Sequence, residues 1–191
     1  MTQILRSFAL LFATFFSHQI TAQATGNFIK GSIGFGLTTP HHNEENLENI
    51  SGFGFYANAE YVMGLTKWFS IRPYAGAVFT STHDDVIKNP EQYKAETNAF
   101  FLGGKVRVCA PIPWFAAYLE TGIGASIGSF KTYTYHINEK KNGITPHIPI
   151  SFGLALGRKN KFDIAYSFYS SLAVKQSFGA ISAGYSFPLH R

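Results

Sequence analysis

Residues 115–127 read FAAYLETGIGASI, and this stretch decides the fold class. Aliphatic side chains such as Leu119 and Ile123 take odd-numbered positions. Glu120, Ser126 and two glycines take even-numbered positions. Successive side chains of a β-strand point to opposite faces, so this alternation indicates a strand with one apolar face and one small or polar face. The stretch is also long enough for a strand that crosses a membrane at a tilt, which needs about 9–11 residues.

The same alternation recurs along the rest of the chain. Each further stretch has one face of Phe, Ile, Leu, Val and Ala, and another of Gly, Ser, Ala and Tyr with isolated charges. A soluble barrel would carry many charges on its outer face, and none of these stretches shows such a face. The apolar face is therefore predicted to meet lipid. The further stretches lie at residues 29–37, 53–61, 69–79, 100–108, 148–156, 162–168 and 181–187.

The connections between these strands are of two kinds that alternate. Every second connection is short and contains Gly, Pro or Asn, and the others are longer and polar. Outer-membrane barrels have short periplasmic turns, long outer loops and both termini in the periplasm. The sequence therefore predicts an all-β fold, an eight-stranded antiparallel up-and-down transmembrane β-barrel. The short connections lie near 63–67, 109–113 and 157–160, and the long ones at 39–49, 81–97, 129–146 and 170–177.

The composition excludes several other classes of protein. With 16% aromatic and 14% charged residues, the chain does not resemble a disordered protein. It has no run of 18 apolar residues for a transmembrane helix, and its one cysteine, Cys109, excludes an internal disulfide framework. With 191 residues it is too short for a porin, which needs on the order of 300 residues. The net charge of +5 is not gathered in a basic cluster, so no nucleic-acid partner is predicted.

The N-terminal segment is predicted to be a secretory signal peptide. Arg6 precedes the apolar run SFALLFATFF at 7–16, which is too short to span a bilayer. Small residues then allow cleavage after Ala22 or Ala24. The predicted organisation is a signal peptide over residues 1–24 and a barrel over residues 25–191.

Two features of the strands bear on their position in the membrane. Aromatic residues collect at strand ends, as in the two belts of outer-membrane barrels, although aromatics also favour strands in general. Pro73 and Pro149 fall within predicted strands, and each is expected to mark a bulge or a strand end. The predicted membrane-interface aromatics are Trp68, Trp114, Phe162, Tyr185 and Phe187.

Two layers of interior residues are predicted. The charges lie near the periplasmic strand ends, with Glu60 beside Arg72 and Lys105 beside Glu120 on neighbouring strands. They form either a salt-bridge layer that closes the barrel or a gated ion path. Higher up, small residues leave room for a shallow cavity open to the outside, unless loops fill it or the glycines serve strand curvature. The charges are Lys30, Glu60, Arg72, Lys105, Arg107, Glu120 and Asp163, and the cavity-lining residues are Tyr56, Tyr74, Phe101 and Tyr169.

The chain resembles the small outer-membrane β-barrel families, especially the OmpX-like and PorT-like barrels of Bacteroidota-type bacteria. The resemblance covers about 160 residues of the mature chain. It implies that the last strand, ending at Phe187, is the signal read by the barrel-insertion machinery, although four residues follow Phe187 here. The segments that carry it are SIGFGL (32–37), LTKWFSIRPYAGAVF (65–79), FAAYLETGIGAS (115–126), ISFGLALGRKNKFDIAYSFY (150–169) and AISAGYSF (180–187).

The predicted function is a non-enzymatic structural or interaction role through four outer loops. The expected partners are outer-membrane lipid, lipopolysaccharide and the insertion machinery, with an extracellular partner that the sequence does not name. A lipid A deacylase or acyltransferase is the alternative, because histidines lie in the outer loops; the His-x-Ser-Asn element of the deacylases is absent. A binder of a small extracellular ligand is a further alternative. No cofactor, metal or catalytic residue is predicted. The loop histidines are His41, His42, His83 and His136.

Overall fold

The computed structural model describes residues 26–40, 51–82, 94–133, 138–171, 174 and 176–189. No helix in these ranges is long and apolar enough to cross a membrane. The predicted signal peptide and the four loop histidines lie outside the described residues. The strands are β1 (Gly26–Pro40), β2 (Gly52–Gly64), β3 (Phe69–Thr82), β4 (Lys94–Cys109), β5 (Trp114–Tyr133), β6 (Asn138–Gly157), β7 (Phe162–Ser171) and β8 (Gln176–Pro188).

The eight strands form one closed antiparallel barrel, which confirms the predicted fold. Each strand pairs with the next along the chain, and β8 pairs with β1. Following paired residues around the barrel from Gly26 leads back to β1 at Gly36, an offset of ten residues. This stagger corresponds to strands that tilt by about 35–45° from the barrel axis. Closure gives every strand two neighbours, so no unpaired sheet edge meets lipid.

The prediction of a bulge or strand end at each proline is wrong. β3 continues through Pro73, which pairs with Gly104 of β4, and β6 continues through Pro149, which pairs with Tyr169 of β7. On the other side of each proline the pairing breaks and then resumes in the same register. Proline lacks an N–H, so it removes ladder hydrogen bonds toward one neighbouring strand only, and the intact pairing on the other side holds the register.

The prediction of a loop over 129–146 is also wrong. β5 and β6 have 20 residues each and stay paired as far as Tyr133 and Asn138, and β4 pairs alongside them. The last large apolar pair on their outer surface is Ile127 and Ile144. Beyond that pair, polar residues occur on both faces of the strands. The sequence there no longer alternates between apolar and polar residues, so it does not look like a strand. We call this three-stranded extension, residues 94–99, 128–133 and 138–143, the outer ribbon.

The two faces of the sheet differ as a membrane barrel requires. Large apolar side chains such as Phe35 (79% exposed) and Ile123 (76%) cover the outside, whereas charged side chains lie inside. This arrangement is stable in lipid and would be unfavourable in water. At the end of the barrel that carries the short turns, the predicted interface aromatics are exposed: Trp68, Trp114, Phe162, Tyr185 and Phe187.

The topology predicts which positions an impermeant reagent reaches in intact cells. Cys109 is only 4% exposed. A Cys109→Ser background therefore removes the native thiol and leaves the accessible surface of the barrel unchanged. In that background, Asn142→Cys in the outer ribbon should react with an impermeant maleimide in intact cells. Lys67→Cys, in the turn between β2 and β3, should react only after the outer membrane is permeabilised. The reverse pattern would show that the barrel is inserted the other way round.

Candidate functional site

The lower half of the barrel interior is filled by charged side chains. All seven predicted interior charges point inward, and each is at most 3% exposed. They come from six different strands, because the stagger of the barrel brings residues at different positions along each strand to the same height. We call this set the charge layer: Lys30, Glu60, Arg72, Lys105, Arg107, Glu120 and Asp163.

Lys105 is at the centre of the charge layer. Its Nζ donates hydrogen bonds to Glu60 Oε1 and to Glu120 Oε2, both at 2.8 Å. Glu60 also accepts hydrogen bonds from Arg72 Nη1 at 3.1 Å and from the Asn58 amide at 2.9 Å. These contacts join β2, β3, β4 and β5 across the barrel interior. Buried carboxylates that are paired and hydrogen-bonded in this way can stay ionised.

Arg107 extends the network to the other side of the barrel. Its Nε donates to Glu120 Oε1 at 2.6 Å, and its Nη1 donates to Asp163 Oδ1 at 2.8 Å. Lys30 Nζ lies 3.6 Å from Asp163 Oδ1 and 3.9 Å from Glu60 Oε2. These contacts close a ring of alternating charge in the order Lys30, Asp163, Arg107, Glu120, Lys105, Glu60 and back to Lys30.

Two tyrosine rings contact cations of the charge layer. The guanidinium of Arg107 lies 3.4 Å from the ring centroid of Tyr118, and Lys105 Nζ lies 5.2 Å from that of Tyr74. Such cation–π contacts stabilise desolvated cations. The layer carries four cations and three carboxylates, a net charge of +1, so its charges are almost fully balanced within the protein.

The rings predicted to line an upper cavity pack against one another instead. Tyr56, Tyr74, Phe101 and Tyr169 are 0–4% exposed. The ring centroids of Phe101 and Tyr169 are 5.0 Å apart, and the hydroxyls of Tyr56 and Tyr169 are 2.7 Å apart. Phe178, which the sequence reasoning left outside any strand, stacks on Tyr169 at 4.4 Å.

The glycines explain why the prediction of a cavity failed. Small interior residues were expected to leave open space, but side chains from nearby strands take that space. A Cβ at Gly76 would lie 2.5 Å from the ring of Phe101, and a Cβ at Gly124 would lie 2.2 Å from the Tyr74 hydroxyl. Glycine therefore makes room for rings, and the register of β3, β4 and β5 decides which ring lies over which glycine.

His147 is the one histidine among the described residues, and it lies in this aromatic layer. Its Nε2 is 2.7 Å from the Tyr74 hydroxyl, and its Nδ1 is 2.8 Å from Ser126 Oγ. A serine beside a histidine can act as a nucleophile with its base. Here both ring nitrogens are already engaged, Ser126 is 1% exposed and His147 is 2% exposed, and both point away from lipid. Ser126, His147 and Tyr74 therefore form an interior hydrogen-bond network in which both imidazole nitrogens have a partner.

A third layer of polar residues closes the upper interior. The Thr38 hydroxyl is 2.8 Å from that of Thr80 and 3.0 Å from that of Thr97. The amide of Gln176 donates to Thr97 and accepts from Thr132. All five are 0–3% exposed. Sequence reasoning missed this layer because Thr and Gln beside a polar segment look like loop residues.

Metal binding finds no support in the described part of the chain. No group of three or more His, Cys, Asp or Glu side chains there is arranged to hold a metal ion. The three carboxylates of the charge layer are all occupied by Lys and Arg.

Solved structures of small outer-membrane barrels share the fold. Neisserial surface protein A matches with a TM-score of 0.56 and 10% identity over 86% of this chain and 98% of that chain. The outer membrane protein OprG of Pseudomonas aeruginosa matches with a TM-score of 0.51 and 10% identity, over 90% and 100%. Ail, the attachment invasion locus protein of Yersinia pestis, matches with a TM-score of 0.50 and 16% identity, over 86% and 100%.

At these identities the likeness concerns the fold. No protein-family model and no curated protein matches the sequence. The closed eight-stranded barrel and its apolar exterior define this chain as a small outer-membrane β-barrel protein.

The charge layer predicts unequal effects of removing single carboxylates. Glu60→Gln keeps the shape of the side chain but leaves Lys105 and Arg72 with one carboxylate fewer, and breaking a buried ion pair costs about 3–5 kcal/mol. Glu96→Gln removes only the more exposed contact with Lys131, worth about 0–1 kcal/mol. Urea unfolding in lipid vesicles should therefore show a clearly lower midpoint for Glu60→Gln alone. Equal midpoints would contradict a stabilising role of the ring.

Proposed function

We propose that this protein is a non-enzymatic, non-conducting outer-membrane barrel that holds an interaction surface at the outside of the cell. The observation that carries this proposal is the filled interior. The charge layer, the aromatic layer and the threonine–glutamine layer lie one above another, and each spans the barrel. Eight strands give an interior just wide enough for side chains to fill, and a barrel filled in this way serves as a rigid membrane anchor for the segments outside the membrane.

The OmpX-like and PorT-like resemblance agrees with this role. In those families the last strand is read by the barrel-insertion machinery, and the corresponding residue here is Phe187. Its side chain is 57% exposed toward lipid, and its backbone pairs with Ile29 of β1. β8 therefore presents its aromatic end on the outer surface beside the strand that closes the barrel, as a signal for the insertion machinery requires.

The outer ribbon supports lipopolysaccharide as a partner. Lys131 and Lys140 are paired across β5 and β6 on the outward face, four residues beyond Ile127 and Ile144. Their positive charges stand just beyond the apolar band, where anionic phosphate groups of the lipid lie. Glu96 is the acidic neighbour of Lys131, at 3.1 Å. The ribbon also offers a surface to a second partner outside the cell, since the ribbon extends past the membrane.

A lipid A-modifying role finds no comparable support among the described residues. Such an enzyme needs its reactive group on the surface that lipid A reaches, whereas Ser126 and His147 point into the packed interior. Mass spectrometry of lipid A tests this directly in cells with and without the protein. The proposal requires identical lipid A profiles; loss of an acyl chain only with the wild-type protein, and not with His41→Ala/His42→Ala, would overturn it.

Planar bilayers test the closed interior. The purified barrel should give no stepwise ion conductance at neutral pH, because three packed layers block the path, whereas a porin added to the same membrane should conduct. Stable conductance steps from the wild-type barrel, at a size that Lys105→Ala changes, would instead support an ion path through the charge layer.

Lipopolysaccharide binding tests the outer ribbon. Lys131→Gln/Lys140→Gln should weaken binding of fluorescent lipopolysaccharide to the purified barrel, by about fivefold for each lysine. Lys67→Gln, which removes a lysine at the opposite end, is the matched control and should leave binding unchanged. The same affinity for the ribbon variant and the control would exclude the ribbon as the binding surface.

A further inference from the structure

An apolar groove runs across the outer, lipid-facing surface of the barrel. Its volume is about 880 Å³, and it extends from β7 across β8, β1, β2 and β3 to β4. Its floor is made of small side chains, including Gly31, Ala59 and Ala75. Larger side chains stand at its two ends, Leu102 on β4 and Phe162 on β7. Between β4 and β7 the outer surface is instead covered by large residues, among them Leu119, Ile123, Ile127, Ile150 and Phe152.

The register of the strands fixes the direction of the groove. Its residues lie on one paired row, which runs in the order Phe162, Tyr185, Gly31, Ala59, Ala75 and Leu102. Each step along such a row is about 4.8 Å, so the row is about 24 Å long. Because the strands tilt, the row climbs from the beginning of β7 at the periplasmic end to the middle of β4. The groove therefore extends from the periplasmic interface to about the centre of the membrane.

Positive charge stands at the lower end of the groove. The turn between β6 and β7 contains Arg158, Lys159 and Lys161, and Phe162 of the groove follows immediately. Ser186 N donates to Lys161 O at 2.9 Å, which holds this turn against β8 next to Tyr185. We call residues 158–161 the basic turn. Of the other two periplasmic turns, one has a single lysine and the other, residues 110–113, has no charge.

The size and position of the groove indicate which kind of molecule fits into it. A stable protein interface uses about 20–30 residues on each side, whereas 16 residues line the groove and several of these face the interior. A second copy of the chain is therefore a poor match. A narrow apolar depression in a lipid-facing surface fits a hydrocarbon chain, which restores the contacts that an empty depression would lack. Because the groove lies in the periplasmic half of the membrane, the chain belongs to a glycerophospholipid and not to lipopolysaccharide.

We propose that the groove and the basic turn form a binding site for one anionic glycerophospholipid of the periplasmic leaflet. An acyl chain lies along the floor over Gly31 and Ala59, and the headgroup phosphate meets Lys159 and Lys161. The length of the row agrees with this arrangement, since its climb covers about half of the 30 Å hydrocarbon thickness. This inference is independent of the proposed function, which concerns the interior and the outer ribbon.

Two exterior glycines provide a matched pair of variants. A Cβ at Gly31 or at Gly104 would meet no atom within 4 Å, so a larger side chain fits at either position without disturbing the sheet. Gly31 lines the groove, whereas Gly104 is exposed on the outer surface and does not line it. Gly31→Leu should fill the groove, and Gly104→Leu should leave it open. Ala59→Leu is a second groove-filling variant.

Native mass spectrometry measures the bound lipid. The folded barrel, extracted with mild detergent and supplied with equal amounts of phosphatidylglycerol and phosphatidylcholine of the same acyl chains, should retain one phosphatidylglycerol molecule. Gly31→Leu and Ala59→Leu should lower this retention at least fivefold, while Gly104→Leu should match the wild type. Lys159→Gln/Lys161→Gln should lower it by about fivefold for each lysine, and Lys67→Gln should not.

Photo-crosslinking gives a readout that needs no variant. Phosphatidylglycerol with a diazirine near the end of its acyl chain should label β2–β4 peptides around Ala59, Ala75 and Leu102 in the wild-type barrel. Labelling spread evenly over all eight strands would overturn the proposal, and so would equal retention by Gly31→Leu and Gly104→Leu. Equal retention of the two lipids would overturn the assignment of the headgroup to the basic turn.

Discussion

The backbone must satisfy its own hydrogen bonds in lipid, and the rest of the structure depends on this constraint. An unpaired N–H or C=O in hydrocarbon costs several kcal/mol, so the sheet has to close. Closure with a ten-residue offset then decides which side chains share a height. Pro73 and Pro149 show how strong the constraint is: each removes ladder pairs toward one neighbour, yet the register on both sides is unchanged. Closure through the remaining pairs holds these strands in place.

Closure also explains why the interior contains a charge ring. Alternation sends every second residue inward, and eight strands leave a space that side chains can fill. Charges in that space survive only when they neutralise one another, and the ring from Lys30 through Asp163 and Arg107 back to Glu60 does so across five strands. A shift of any strand by two residues would separate partners that now lie 2.6–3.9 Å apart. The ring of charges therefore favours this register of the strands over shifted ones.

The strand alternation was sufficient to predict the barrel, its eight strands and the inward direction of residues such as Glu60 and Arg107. The aromatic layer was not predictable, because its contacts join residues far apart in sequence: Gly76 makes room for Phe101, and Phe178 reaches Tyr169. The outer ribbon was missed for a different reason. Above the membrane the outward face no longer has to be apolar, so Lys131 and Lys140 interrupt the pattern on which the strand assignment depended.

A filled interior moves the sites of interaction to the outer surface. Three packed layers leave little room inside for a ligand, so binding has to use faces that the barrel presents to lipid or to water. The exterior is uneven in a way that closure does not require: a band of small residues, including Gly31, Ala59 and Ala75, crosses β1–β3, whereas large residues cover the outer surface between β4 and β7, although both would be stable in lipid. Small and large side chains are both apolar here, so contact with lipid does not by itself require this distribution. Small side chains at Gly31, Ala59 and Ala75 give up packing against lipid unless one particular chain settles there, and this is the physical reason for regarding that side of the barrel as a binding surface.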